Sequence, residues 1–180
     1  MRPTINQIRS LTDFCPTYRW DMSVVLPAAV AQAINSYELN LRTTSASLPK
    51  RTVEAIDIAN RGHRIRREGI TQFSQSLTLS TIGTIDTMIH KAVRNWHMMC
   101  WSDDGNTVYG RMSSNNPADR QATFTLTALN NTDQGYWQYL IYGAWLEDSD
   151  FGDFQSDSSD IQRPTLSFSY DYFIDGPVGV

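Results

Sequence analysis

Lysine is nearly missing from this 180-residue chain: Lys50 and Lys91 are the only two, and arginine supplies the rest of its 15 basic residues. Cysteine is equally scarce. Cys15 and Cys100 lie far apart and in no metal-ligand spacing, which excludes a disulfide scaffold and fits free thiols in a reducing compartment. Nowhere do about 20 consecutive apolar residues occur, so no helical membrane span is expected. The opening residues "MRPTINQIRSLTDFCPTYRW" hold no apolar run of signal-peptide length, and the expectation is a soluble chain that is not exported through an N-terminal signal. A net charge of −4 argues against a dedicated nucleic-acid binder.

Motifs of chemistry are missing as well. The chain contains no G-x-S-x-G elbow, no phosphate-cradling G-x-x-x-x-G-K and no dinucleotide fingerprint. His90 and His97 are seven apart with Cys100 three beyond, and His63 stands alone, short of the tight four-ligand cage that zinc requires. The stretch "DSDFGDFQSDSSD" (148–160) lacks the turn glycine and the closing glutamate of an EF-hand loop and reads as a flexible acidic loop. No cofactor, metal or catalytic residue is therefore expected.

What the chain does have is alternation. One domain over 1–180 is long enough to bury about 70% of its unfolded surface. Residues 18–26, 36–46 and 52–59 are rich in β-branched and aromatic side chains and predict strands. In 72–80, 122–129 and 165–173 apolar residues alternate with Ser and Thr, the pattern of antiparallel strands with one buried face. Residues 135–145 are apolar on both faces. One segment follows another period: in 84–99, Ile85, Met88, Ile89, Ala92, Val93, Trp96 and Met99 repeat as on an amphipathic helix, with Thr84 as its cap and Asp86 in its first turn. A turn at 102–107 and a short strand at 108–112 follow. The predicted class is mainly β with one α-helix.

Charge is segregated along the chain. From Arg42 to Arg67 seven basic residues face two acids, whereas from Glu147 to Asp160 six acids occur with no base. Solubility alone does not require such separation. The polar faces of three strands, including Ser74, Ser76 and Thr78, then Thr123, Thr125 and Thr127, carry hydroxyls and no Lys or Arg.

Taken in order, these segments resemble the tail tube proteins of contractile-tailed bacteriophages. "SLPKRTVEAIDI" (47–58) is similar to that family's Leu-Pro, Arg-Thr and alternating strand, at Leu48, Pro49, Arg51, Thr52, Val53 and Ile56. The Gly143, Ala144, Trp145 turn and the final strand with Phe168, Tyr170 and Tyr172 continue the likeness, which spans about Tyr18 to Phe173. Lys50 and Leu146 depart from the pattern, where Gly and Pro are common.

The resemblance implies two packed antiparallel sheets flanked by a helix. It implies hexameric rings whose inner sheets join into a continuous luminal β-barrel, and rings stacked head to tail inside a contractile sheath. The partners it implies are copies of the chain, sheath, baseplate and tail terminator proteins, with the tape measure protein and later DNA in the lumen; the place is the virion tail, assembled in the host cytoplasm. Within that frame, Lys50, Arg51, Arg61, Arg64, Arg66 and Arg67 are expected on a stacking arm (46–69) that meets acidic surface of the adjacent ring, with Glu147, Asp148, Asp150 and Asp153 as its candidate counterpart. Ser74, Ser76, Thr78, Thr123, Thr125 and Thr127 are expected along the lumen, where basic residues would hold phosphate. Residues 1–17 are expected to form a mobile interface segment. Competing readings are the tube of a bacterial contractile injection or secretion system, a monomeric β-sandwich binding module, and an enzyme that uses the acids near Asp150 and Asp153.

Overall fold

A computed structural model describes residue 5 and residues 14–100, 116–157 and 159–179. The predicted turn at 102–107 and strand at 108–112 lie outside the described residues, as does most of the segment 1–17. The elements run β1 (Trp20–Val25), α1 (Ala28–Ala31), α2 (Ser36–Arg42), β2 (Thr43–Ala46), β3 (Arg51–Asn60), β4 (His63–Phe73), β5 (Ser76–Thr81), α3 (Met88–Cys100), β6 (Ala122–Leu129), β7 (Gly135–Asp150), β8 (Thr165–Ser169) and β9 (Tyr172–Pro177). Every strand pairing among them is antiparallel.

Among the described residues seven strands form one hydrogen-bonded sheet in the order β1-β6-β7-β8-β5-β2, with β9 also on β7, and β3 and β4 pair only with each other. The two expected layers are thus halves of a single sheet that share β7. Up to Ala144 this strand is flanked by β6 and, from Trp137 to Tyr142, by β9; from Trp145 it pairs with β8 instead. Strands β8 and β9 lie end to end along one side of β7, parted at Tyr170 and Asp171. The first half, β1-β6-β7-β9, is called sheet A below, and the second, β7-β8-β5-β2, sheet B. The monomer is not a closed barrel, because β1 and β2 end the path without meeting.

Apolar residues on the inner faces of the two halves hold them together. Phe124 from sheet A and Phe168 from sheet B, both fully buried, meet with ring centroids 5.0 Å apart, and Trp96 of α3 meets Phe168 at 5.1 Å. Leu77 and Leu79 of β5, Ile141 of β7 and Leu166 of β8 complete this layer, as the alternation predicts. Helix α3 covers the inner side of sheet B with Ile89, Ala92, Val93, Trp96 and Met99.

Three expectations need correction. The segment 36–46 is not one strand: 36–42 is helix α2. Its alternating Tyr37, Leu39 and Leu41 suggested period two, but only Leu39 is buried, and Asn35 caps the helix by accepting from the Glu38 N–H at 2.8 Å. Together with α1 this gives more than the single helix expected. Helix α3 begins at Met88 rather than Thr84, leaving Ile85 fully exposed. Thr87 takes a left-handed φ of 60°, and the Met88 N–H at the helix start donates to the Asp86 carboxylate. Finally, residues 63–71, for which no strand is predicted, belong to β4 (63–73), and the predicted strand at 72–80 is divided between β4 and β5.

Helix α2 also closes an edge. Ser36 Oγ accepts the Val24 N–H at 2.8 Å and Asn40 Oδ1 accepts the Met22 N–H at 3.2 Å, so the outer rim of β1 is satisfied by side chains. An edge covered in this way is no template for another strand.

Two outcomes are expected from this architecture. Gly143 marks the change of partners in β7 with φ of +70°, and a Cβ there would overlap the Asp171 carboxylate. Gly143→Ala should cost about 2 kcal/mol or more in urea denaturation, from left-handed strain plus the clash. The Asp86 carboxyl is held below its usual range by the Thr84 hydroxyl, the Met88 N–H and Arg42, which lies 2.6 Å away. Its folded value being depressed, the stability it contributes is present above the unfolded value of about 4 and is lost as pH falls through the folded one. Thermal melts from pH 6 to pH 3 should fall less steeply in Asp86→Asn than in the parent.

Candidate assembly surfaces

The basic segment forms most of an isolated β-hairpin. Arg61 (φ 47°) and Gly62 (φ 84°) supply the two left-handed residues of a tight turn between β3 and β4, with Ile58 opposite Ile65 and Asp57 opposite Arg66. Gly69 permits the bulge nearer the base, where a Cβ would press on the Glu54 carbonyl. Nearly every described side chain of the two strands is exposed, so the hairpin projects from the body with both faces in solvent.

Its root is fastened to sheet A from the inner side. Phe73 packs edge-on against Phe173 at 5.8 Å; the Arg51 guanidinium lies 4.8 Å above the same ring and pairs with Asp175. Ser74 Oγ accepts the Lys50 N–H at 2.9 Å, the Ser74 N–H donates to the Lys50 carbonyl, and the Tyr170 hydroxyl donates to the Ser74 carbonyl.

This geometry separates the predicted arm residues. Lys50 and Arg51 belong to the root. Arg64 and Arg66 both pair with Asp57, at 2.7 and 2.9 Å, on one face of the distal hairpin. Arg67 stands opposite Ile56 on the other face, and Arg61 occupies the turn. That other face carries Ile56, Ile58 and Ile65, each about half exposed. Sequence reasoning, which followed the arginines, missed this isoleucine row; the alternation of Ile56 and Ile58 and the glycine after Arg61 were the available signals.

The acids are likewise distributed. Glu147, Asp148 and Asp150 belong to β7 rather than to a loop, while Asp153 lies beyond it. Glu147 accepts from the Ser169 hydroxyl at the end of sheet B from which the hairpin departs. Asp150 stands opposite Thr165, four residues away along β8, hence about 14 Å from that end at 3.4 Å per residue. Asp150 and Asp153 thus lie toward the end of sheet B opposite the hairpin root. Nearby, His90 stacks on Phe151 at 4.4 Å and His97 is 3.4 Å from Ser149.

The hydroxyl residues fall on two different outer faces. Thr123, Thr125 and Thr127 share the outside of sheet A with Asp21, Ser23, Val25, Leu140, Tyr142, Tyr172 and Ile174, by strand register. Ser76 and Thr78 share the outside of sheet B with Ser80, Thr165, Ser167 and Ser169. Since Phe124 and Phe168 face each other between the halves, these surfaces point away from one another. Ser74 is outside β5, and its hydroxyl serves the hairpin root.

A groove of about 530 Å³ opens where β1, β2 and the ends of β6 and β7 meet, lined by Trp20, Leu48, Leu126, Trp137 and Tyr139. Among the described residues its lining contains no carboxylate and no histidine. Arg19 at its edge is held above its usual range by a hydrogen bond with Tyr18 and by Asp133, 2.8 Å away; Tyr136 is raised by its hydrogen bond with Cys15. Among the described residues no group of three His, Cys, Asp or Glu side chains could hold a metal ion, and no helix is long and apolar enough to cross a membrane.

No protein-family model and no curated protein matches the sequence. Solved structures do match the fold. A chain of the anti-feeding prophage baseplate superposes with a TM-score of 0.63 at 14% identity, over 94% of this chain and 100% of the other. A chain of the PVC extracellular contractile injection system, in its extended sheath–tube complex, gives 0.58 at 16% identity over 98% and 100%. One from the PVC sheath/tube terminator gives 0.62 at 15% over 93% and 99%. This chain therefore has the fold of chains built into contractile injection assemblies, in agreement with its sequence resemblance to tail tube proteins.

Proposed function

We propose that the chain is the subunit of the inner tail tube of a contractile phage tail. In this reading it forms hexameric rings that stack head to tail inside a sheath, between baseplate and terminator, around a lumen that holds the tape measure protein and later passes DNA. The tail would assemble in the host cytoplasm. The observation that carries the reading is the pattern of open and closed sheet edges. A continuous luminal barrel requires an inner sheet with both edges free to pair with neighbours. Sheet A fails this test, because α2 closes the rim of β1. Sheet B satisfies it among the described residues: β2 pairs only with β5, and residues 145–150 of β7 pair only with β8.

The chemistry of the outer faces agrees. Sheet B presents hydroxyls from β5 and β8 beside Trp145, Asp148 and Asp150 and, among the described residues, no base to retain phosphate. Sheet A presents Val25, Leu140, Tyr172 and Ile174, apolar residues better suited to contact than to a water-filled channel. Of the candidate lumen residues, Ser76 and Thr78 are therefore assigned to the channel, and Thr123, Thr125 and Thr127 to the opposite side. The hairpin is the stacking arm, and Asp150 and Asp153 lie toward the far end, as a heterologous contact between rings demands. A second reading, the tube of a contractile injection system with another cargo, is favoured by the fold shared with the anti-feeding prophage and PVC chains.

Negative-stain electron microscopy and sedimentation over a concentration series, with and without baseplate as seed, should show rings or tubes. A monomer under every condition, seeded ones included, overturns the tube reading. Tails joined to capsids in producing cells identify the phage case, and headless particles the injection case. Within assembled tubes, Thr78→Arg should slow cargo passage several-fold without blocking assembly, whereas Thr125→Arg should leave passage unchanged; the reverse result would move the lumen to sheet A. Arg64→Glu with Arg66→Glu should reduce tube growth at low salt while circular dichroism stays that of the parent.

A further inference from the structure

Two exposed apolar surfaces on this chain have no partner among the described residues, and, resting on the tube reading, we infer that they cover each other between copies. The first is the isoleucine face of the distal hairpin, where Ile58 stands opposite Ile65 and Ile56 is next in line on β3. The second is the outside of sheet A, where register sets Leu140 beside Ile174 and Tyr142 beside Tyr172, with Val25 on β1. Val25 is 71% exposed, and Tyr172 and Ile174 are each 51% exposed.

Geometry makes the contact intermolecular. The hairpin root is held by Phe173 and Asp175, which alternate with Tyr172 and Ile174 and so lie on the inner side of β9. To reach the outside of its own sheet, the hairpin would have to turn back around the β9 edge; instead it stands in solvent along its length. A second copy presents the same outer face without that obstacle.

The surfaces fit in size and charge. A two-stranded ribbon is about 5 Å wide between strands and lies within the roughly 14 Å breadth of a four-stranded sheet, at the usual face-to-face distance of about 10 Å. The isoleucine face carries Arg67, opposite Ile56, while the charged residue on the sheet A face is Asp21 on β1. Two different patches make the contact heterologous, so each copy can give one and receive one. An isolated two-stranded hairpin is marginal in water, and docking would stabilise it by removing both apolar surfaces from solvent. The arginines paired with Asp57 then face outward and guard a ribbon that would otherwise be a bare edge for aggregation.

Disulfide trapping tests this directly. In a background with Cys15→Ser and Cys100→Ser, protein carrying only Ile58→Cys is mixed with protein carrying only Ile174→Cys, assembled on baseplate seed and oxidised. Crosslinked dimer is expected in the tube fraction for this pair, and little for Ile58→Cys with Ser167→Cys, which places the second thiol on the outside of sheet B. Tubes that form normally but trap no Ile58→Cys/Ile174→Cys dimer, or trap the Ser167→Cys pair instead, overturn the docking while leaving the tube reading intact. Failure of the parent protein to assemble on seed overturns both. Independently of cysteine chemistry, Ile56→Ser, Ile58→Ser and Ile65→Ser combined should leave the monomer's urea midpoint nearly unchanged and raise the protein concentration needed for tube growth at least tenfold. Growth at the parent's concentration overturns the docking.

Discussion

The structure depends on one strand taking part in two sheets. β7 carries β6 and β9 along its first part and β8 along its second, and the exchange occurs where Gly143 takes a backbone conformation that a side chain would oppose. Because the same strand is hydrogen-bonded into both halves, they cannot slide past one another, and the fold over β7 brings Phe124 onto Phe168 and leaves a flank for Trp96 and α3. The same constraint decides which surfaces are left over. Each half has one buried face and one face outward, and the two outward faces must point apart.

Edges are the next consequence. Antiparallel sheets expose unpaired donors and acceptors at their rims, and a chain must either cover these or use them. Here both solutions occur. Ser36 and Asn40 of α2 cover β1, while β2 and the last residues of β7 are left open among the described residues. A sheet with two open edges can be extended by identical neighbours on both sides. That property, more than any pocket, separates the tube reading from the binding-module one. The groove lined by Trp20, Trp137 and Tyr139 is mostly apolar among the described residues.

Charge and apolar area divide the work of association between them. Arg64 and Arg66 are more than 70% exposed and share one carboxylate, and pairs of that kind contribute about 0–1 kcal/mol. Their value is in orientation and in keeping the hairpin soluble, since complementary charge steers an encounter more than it tightens one. The isoleucines behind them contribute more once buried, on the order of 1.5–3 kcal/mol each for a fully covered side chain. A projecting ribbon with one charged and one apolar face stays soluble as a monomer and still has a surface to bury in an assembly.

Much of this was legible in the sequence because period-two patterning is local. Leu77 and Leu79, Phe124 and Leu126, and Leu166 and Phe168 alternate with hydroxyls, and all six are buried where that alternation places them. The helix around Trp96 was legible for the same reason, apart from its start, where Thr87 breaks the helical backbone. Tyr37, Leu39 and Leu41 misled, since three alternating apolar residues fit a strand as well as a short helix that buries only the middle one. The sequence by itself determined the alternating strands around Leu77, Phe124 and Phe168 with their inner and outer faces, and the segregation of charge, all of which depend on near neighbours. Only the tertiary structure decided that Thr78 and Thr125 look in opposite directions, that Arg64 and Arg66 are paired with Asp57, and that the isoleucines beside them are bare. Those facts depend on which strands pair and where β7 changes partners, and such long-range contacts leave no periodic trace in the residues that make them.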